Sequence, residues 1–292
     1  MRRRMIAVGR VNGSGGIAAL EFGPPGRGLD ILFLHANGFN AGTYRQVLAP
    51  LGARLRVLAV DMRGHGRTTL PTPIEGHAWR NYADDLLALL SALGEVPRVL
   101  AGHSMGGTTA LLAAPHLAKL HATALVLFDP VVAPPAAYET GGAPDWNQPL
   151  AQGALRRKSA FATRAEANAA YRGRGAFKTW PDTMLDDYLE DGLRPDPNSG
   201  FTLSCAPEWE AVNFACYASS NPHAGFAGAG ATVHVLRAER NSTCFVTESD
   251  AALRGSRLSV ATVPGCTHFL PMERPDLVTN ALREAVEIGA NL

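Results

Sequence analysis

Val99-Leu100-Ala101-Gly102-His103-Ser104-Met105-Gly106-Gly107 reads as an apolar strand that enters a turn of pattern G-x-S-x-G and leaves it as a helix. A turn that tight needs small residues on both flanks, because a Cβ at Gly102 or Gly106 would collide across it. The serine is then held at the end of a strand. The N–H of Met105 sits at a helix N-terminus and faces the same space, where it can bind developing negative charge. A serine that merely caps a helix would satisfy the bare pattern too. The strand before it and the helix after it favour Ser104 as nucleophile and Met105 as an oxyanion donor.

A serine hydroxyl is a weak nucleophile until a base takes its proton, so a histidine has to arrive from elsewhere in the chain. His268 fits that requirement. It follows the last apolar run in Val263-Pro264-Gly265-Cys266-Thr267-His268-Phe269 and precedes the closing helix. His103 lies inside the turn itself, His35 and His65 occupy turns after other strands, and His116, His121 and His223 have no such setting.

On either side of the serine turn, apolar runs alternate with helical stretches, the pattern of a mostly parallel central sheet covered on both faces in an α/β fold. Strands are expected at Ile17 to Phe22, Asp30 to His35, Arg56 to Asp61, Val96 to Ala101, Ala124 to Asp129, Thr232 to Arg237 and Leu258 to Val263. Helices are expected at Trp79 to Leu93, stopped by Gly94, at Met105 to Leu120, kinked by Pro115, and at Asp276 to Ile288. From Ala133 to Gly228 the alternation breaks down, with Pro134-Pro135 and Gly141-Gly142 near its start. The reading is a core formed by 1–132 and 229–292, with a mainly helical cap, 133–228, inserted over the carboxyl edge of the sheet, where open α/β sheets bind ligands. Its helices are expected at Gln152 to Ser159, Arg164 to Tyr171 and Pro181 to Leu193.

The chain has 292 residues, 46% of them hydrophobic and 18% charged, with a formal net charge of +1. Such a balance recruits neither nucleic acid nor an anionic membrane. Arg2 to Arg4 form the one N-terminal charge run and read as a solvated end. No apolar h-region follows them, and no window approaches the ~20 apolar residues of a membrane span. Cys205, Cys216, Cys244 and Cys266 are scattered without metal-ligand or C-x-x-C spacing, so they read as reduced thiols in a cytoplasmic protein. No metal or cofactor is expected, since the glycines around Gly13 to Gly16 follow no strand of a βαβ unit.

Leu34-His35-Ala36-Asn37-Gly38-Phe39, Asp61-Met62-Arg63-Gly64-His65-Gly66, the Ser104 turn and Thr267-His268-Phe269 together resemble the α/β-hydrolase superfamily. The resemblance runs from about Ile17 to the last helix and is weaker through the cap. It implies that the backbone N–H of Asn37 completes the oxyanion hole, although Ala36 stands where a glycine is usual. The Asp61 to Gly66 turn reads as structural. Similar enzymes usually carry the triad acid after the strand placed at Thr232 to Arg237, where this chain has Asn241. Asp129, at the end of the preceding strand, is the expected acid, because that strand neighbours the Ser104 strand if sequential strands are adjacent; Glu239 on the Asn241 loop is the alternative, and a triad without a standard acid the third possibility.

The implied activity is that of a serine hydrolase acting on an ester or lactone of small to medium, moderately apolar shape. A C–C bond hydrolase of β-diketone or dienone type and a non-catalytic small-molecule binder are the alternatives. Phe39, Trp180 and Trp209 are expected to contact the substrate, drawn from an aromatic supply that also includes Trp146, Tyr171, Phe177, Tyr188, Phe214 and Tyr217. The expected partner is a small molecule, and the sequence leaves room for a homodimer.

Overall fold

Ile31-Leu32-Phe33-Leu34 are all buried, as a continuous apolar run in a strand covered on both faces requires. Leu32 and Leu34 pack on one side with residues such as Leu86 and Leu111, whereas Ile31 and Phe33 pack on the other with residues such as Val278 and Leu282. The computed structural model describes residues 1–9, 14–117, 124–139, 142–198, 200–250 and 257–288.

The main sheet has eight strands: β1 (Arg2–Val8), β2 (Gly15–Phe22), β3 (Ile31–Leu34), β4 (Val57–Val60), β5 (Val99–His103), β6 (Ala124–Phe128), β10 (Thr232–Ala238) and β11 (Leu258–Val263). Their spatial order is β1-β2-β4-β3-β5-β6-β10-β11. β1 and β2 pair antiparallel, as do β2 and β4, and the remaining pairs are parallel. The fold is therefore α/β with a mostly parallel central sheet. β5 lies between β3 and β6, so the loops after these three strands open at one edge.

Helices α1 (Arg45–Leu48), α2 (Arg80–Leu93) and α3 (Met105–Leu117) belong to the first half of the chain. Gly94 ends α2 with φ +67° and returns its N–H to Leu90. α3 contains Pro115, which cannot donate the helical bond to the Leu111 carbonyl; positions 118–120 of the expected helix lie outside the described residues.

Between β6 and β10 the chain forms α4 (Pro149–Leu155), α5 (Arg164–Tyr171), α6 (Asp182–Gly192), α7 (Pro207–Ala215) and α8 (His223–Gly228). It also forms an antiparallel sheet of β7 (Ala160–Phe161), β8 (Leu193–Asp196) and β9 (Gly200–Leu203), in the order β7-β9-β8. No such sheet was expected, because strands of two to four residues that include Pro195 and Asp196 show no period-two pattern. Nor does all of the segment stand apart from the main body. α8 packs against α3 so closely that a Cβ on Gly225 would lie 2.2 Å from the Leu111 carbonyl oxygen. The chain continues with α9 (Leu270–Glu273) and α10 (Pro275–Ile288).

Arg2 and Arg3 are exposed, as expected of a solvated end, but with Arg4 they form the start of β1 and carry ion-pair partners not expected from the sequence. Arg3 bonds Asp191 at 2.6 Å and Glu190 at 2.7 Å, Arg2 pairs with the buried Glu21, and Arg4 lies 3.5 Å from the same carboxylate. Their partners lie 17 or more residues away in sequence, and Ile6 and Val8 supply the apolar face that holds the strand in place. Among the described residues no helix is long and apolar enough to cross a membrane.

Candidate active site

Ser104 lies between β5 and α3 with φ +54°, a region that L residues enter only at a cost of about 1–3 kcal/mol. The neighbours explain how the strain is held. A Cβ on Gly102 would lie 2.4 Å from the Gly106 carbonyl carbon, and one on Gly106 would lie 2.3 Å from the Leu34 carbonyl oxygen. Only glycine lets β5, α3 and the end of β3 approach so closely. The Ser104 N–H also donates to Phe128 O at 3.0 Å, tying the turn to β6.

His268 follows β11 and reaches Ser104, with its Nε2 3.0 Å from Oγ. Its Nδ1 lies 2.6 Å from Asp129 Oδ2. Asp129 directly follows β6, whose Phe128 pairs with His103 of β5, so the carboxylate starts level with the serine on the adjacent strand. Asp129 also has a positive φ, +43°, and is fully buried. Its Oδ1 accepts from Ala238 N at 2.8 Å and Ser242 Oγ at 2.6 Å, and its Oδ2 accepts from Thr243 N at 3.0 Å. Burial opposes the charge on Asp129, but the bonds from His268, Ser242 and Ala238 outweigh it and hold the carboxyl below its ordinary range.

Glu239 does not reach His268. It is exposed and accepts from Gly265 N at 2.8 Å. Asn241, on the same loop, is also exposed and has φ +54°. The loop after β10 thus gives His268 no carboxylate; through Ser242 and Thr243 it gives donors to Asp129.

Asn37 and Met105 both face the cavity that Ser104 faces, and neither backbone N–H donates to a protein acceptor among the described residues. The Asn37 side chain is fixed at both ends: Nδ2 donates to Glu210 O at 3.0 Å and Oδ1 accepts from Asn213 Nδ2 at 3.0 Å. Asn213 is fully buried on α7, and its Oδ1 accepts from Tyr82 Oη at 2.9 Å and from His77 Nε2 at 2.8 Å. The Asp61 to Gly66 turn supports the same loop through Gly38 N, which donates to His65 Nε2 at 3.0 Å. That bond makes Nε2 the acceptor nitrogen, and burial keeps the ring neutral, with its pKa lowered to about 4. Asp61 caps this region by accepting from Ala41 N and Arg67 N at 2.8 Å each, while burial pushes its carboxyl up to about 6.

Asn213 was absent from the expected site. Its signal was an amide four residues after Trp209, on the helix face that Trp209 buries. Leucine there leaves Asn37 Oδ1, Tyr82 Oη and His77 Nε2 without their partner. Asn213→Leu is expected to lower the unfolding free energy by on the order of 3 kcal/mol in urea denaturation.

His103, inside the turn, has a further structural task. Ala36 N donates to Tyr44 Oη at 3.1 Å, Tyr44 Oη donates to His103 Nδ1 at 2.7 Å, and His103 Nε2 donates to the His268 carbonyl at 2.7 Å. Burial and the neighbouring His268 lower the His103 pKa to about 3, so the ring is neutral and the chain of donors is consistent. It joins the Ala36 loop, the serine turn and the His268 loop.

The cavity above Ser104 has a volume of about 790 Å³, within the range of small-molecule sites, and its wall includes Phe39, Leu150, Phe177 and Phe245. Trp180 and Trp209, expected at the substrate, do not line it. Trp209 is buried with its Nε1 donating to Arg63 O at 3.0 Å, so close to Gly64 that a Cβ there would lie 2.0 Å from the indole nitrogen. Trp180 stands one layer back, 5.0 Å from the Phe39 ring and 4.9 Å from the Phe177 ring. Aromatic composition supplied no means of telling which rings face inward. Among the described residues no group of three or more His, Cys, Asp or Glu side chains could hold a metal ion, and all four cysteines are free and buried.

Comparison with known proteins gives relatives with this architecture. A 2-(acetamidomethylene)succinate hydrolase from Mesorhizobium japonicum is 31% identical over 111 residues, 38% of this chain and 37% of the relative. The 3-oxoadipate enol-lactonase 1 of Acinetobacter baylyi is 32% identical over 100 residues, 34% of this chain and 36% of the relative. In each case the similarity spans little more than a third of the relative's length. The crystal structure of E-2-(acetamidomethylene)succinate hydrolase superposes with a TM-score of 0.79, covering 98% of this chain and 99% of that one at 22% identity. The sequence profile of the alpha/beta hydrolase family matches residues 31–281, most of the chain, and the protein belongs to that family.

Proposed function

We propose that the protein is a serine hydrolase that cleaves a carboxylic ester or lactone through an acyl-enzyme on Ser104. The observation that carries this reading is the unbroken line Ser104 Oγ, His268, Asp129, with contacts of 3.0 and 2.6 Å, ending at a cavity that Asn37 and Met105 also line. In the proposed mechanism His268 takes the Ser104 proton as Oγ attacks the carbonyl, and the N–H groups of Asn37 and Met105 stabilise the oxyanion. His268 then protonates the leaving alkoxide. Water, deprotonated by the same imidazole, releases the acid. Asp129 keeps the Nδ1 proton in place and offsets the charge of the imidazolium. A serine in the attacking position supplies no carboxylate for an alkyl-enzyme ester, which argues against epoxide or haloalkane chemistry despite an epoxide hydrolase among the similar proteins. A cytoplasmic location belongs to the same proposal, supported by four cysteines without a disulfide.

A fluorophosphonate probe tests the reading directly. One equivalent of label is expected on Ser104, identified by peptide mass spectrometry, with none in the Ser104→Ala protein. Label-resistant protein would leave a binding role, and labelling without turnover of any ester or lactone would favour the carbon–carbon hydrolase reading.

A further inference from the structure

Although the cavity wall is mainly apolar, Arg157, Arg174 and Glu210 also face it. Arg157 pairs with Glu210 at 2.8 Å and donates to Tyr188 Oη at 2.6 Å and Tyr171 Oη at 3.2 Å. Its guanidinium also lies 5.0 Å from the Tyr171 ring centroid. An ion pair in an apolar wall is a poor way to stabilise a fold, because apolar side chains of the same volume serve as well or better. Protein surrounds Arg157, yet 16% of its side chain stays accessible, and the residue lines the cavity. The Glu210, Tyr188 and Tyr171 bonds use a different nitrogen each, so one N–H on each terminal nitrogen is uncommitted to them.

Arg174 stands at the exposed rim of the same cavity, and its guanidinium has no protein partner among the described residues. Glu210 offsets one of the two arginines, which leaves a surplus of one positive charge. We infer that this surplus binds a singly charged carboxylate on the substrate, held by Arg174 and the spare N–H groups of Arg157, while the scissile carbonyl lies at Ser104. A dianionic phosphate suits the wall less well, because Glu210 would repel its second charge. The substrate class is then a carboxylic acid bearing an ester or lactone across an apolar spacer. The scissile bond rests on the serine-hydrolase reading; the anion site does not.

Binding is measured by calorimetry on the Ser104→Ala protein with monomethyl adipate, dimethyl adipate and pentyl phosphate. Monomethyl adipate is expected to bind at least about tenfold more tightly than the uncharged diester, the scale of a charge-assisted hydrogen bond. In Ser104→Ala/Arg174→Gln that ratio is expected to fall to about threefold or less, and raised salt is expected to reduce it. Arg157→Lys keeps a cation opposite Glu210, so the fold stands, but loses the planar fork and is expected to weaken monomethyl adipate. Equal binding of the monoester and diester, an unchanged ratio in the Arg174→Gln protein, or tighter binding of pentyl phosphate would each overturn the inference. Turnover by the parent enzyme separates the two claims. Tight monomethyl adipate binding without cleavage of any ester leaves the anion site standing and the hydrolase reading refuted. Ser104-dependent cleavage of neutral and acidic esters at equal kcat/KM does the reverse.

Discussion

Ser104→Ala is expected to lower kcat for a small p-nitrophenyl ester by a factor on the order of 10⁶, leaving the thermal midpoint close to that of the parent protein. The size follows from the mechanism: without Oγ no acyl-enzyme forms, and only the oxyanion donors and substrate binding continue to contribute. The fold is spared for a local reason. Oγ makes its bond to His268 Nε2, which faces the cavity, and alanine tolerates φ +54° about as well as serine does. His268→Ala is expected to show a loss of similar size, and the double variant no further loss, because nucleophile and base act as one unit. Steady-state kinetics on the three proteins checks this, and a residual activity above about a thousandth of the parent in either single variant would refute the assignment.

Ser104 and His268 were legible because their chemistry imposes local sequence rules. Gly102 and Gly106 are required by backbone contact, and a histidine after the last parallel strand emerges at the same edge as a serine after β5. Asp129 was legible as the expected acid only on the assumption that sequential strands are neighbours, with Glu239 competing, since the choice depends on strand order: β6 neighbours β5, and β10 lies one strand further away. What stayed hidden depends on contacts between distant segments. Arg3 and Asp191 are 188 residues apart, and Asn37 and Asn213 are 176 apart; neither pair leaves a local pattern. Arg157 and Arg174 were hidden for a different reason. Nothing in an arginine's sequence surroundings says whether it points to water or into a cavity, and the same ambiguity sent Trp209 to the wrong wall.

Asp129→Asn is expected to lower kcat by on the order of 10⁴ while Glu239→Gln leaves it within about twofold. An amide at position 129 nearly keeps the shape, but it removes the charge that stabilises the imidazolium, and its NH₂ can face Nδ1 and hold His268 in the wrong tautomer. That amide would also have to place its NH₂ among donors, since Ala238 N, Ser242 Oγ and Thr243 N all point at the two oxygens of Asp129. Some loss of stability is therefore expected as well, and it has a pH signature. The carboxyl of Asp129 is depressed below its ordinary 3.8 in the folded protein. Its stabilising contribution is therefore present above that value and lost as pH falls through the lower, folded one. The stability gap between parent and Asp129→Asn should accordingly be present from pH 5 to 8, the range of about one unit or more above 3.8 in which the carboxyl is ionised in both states, with any change inside that range reporting the His268 imidazole that Asp129 contacts. It should close in acid. Activity measured over the same range separates the two roles of the residue. If Asp129→Asn retained near-full kcat at pH 7 and Glu239→Gln did not, the 2.6 Å contact to His268 would be structural and the loop after β10 would supply the acid.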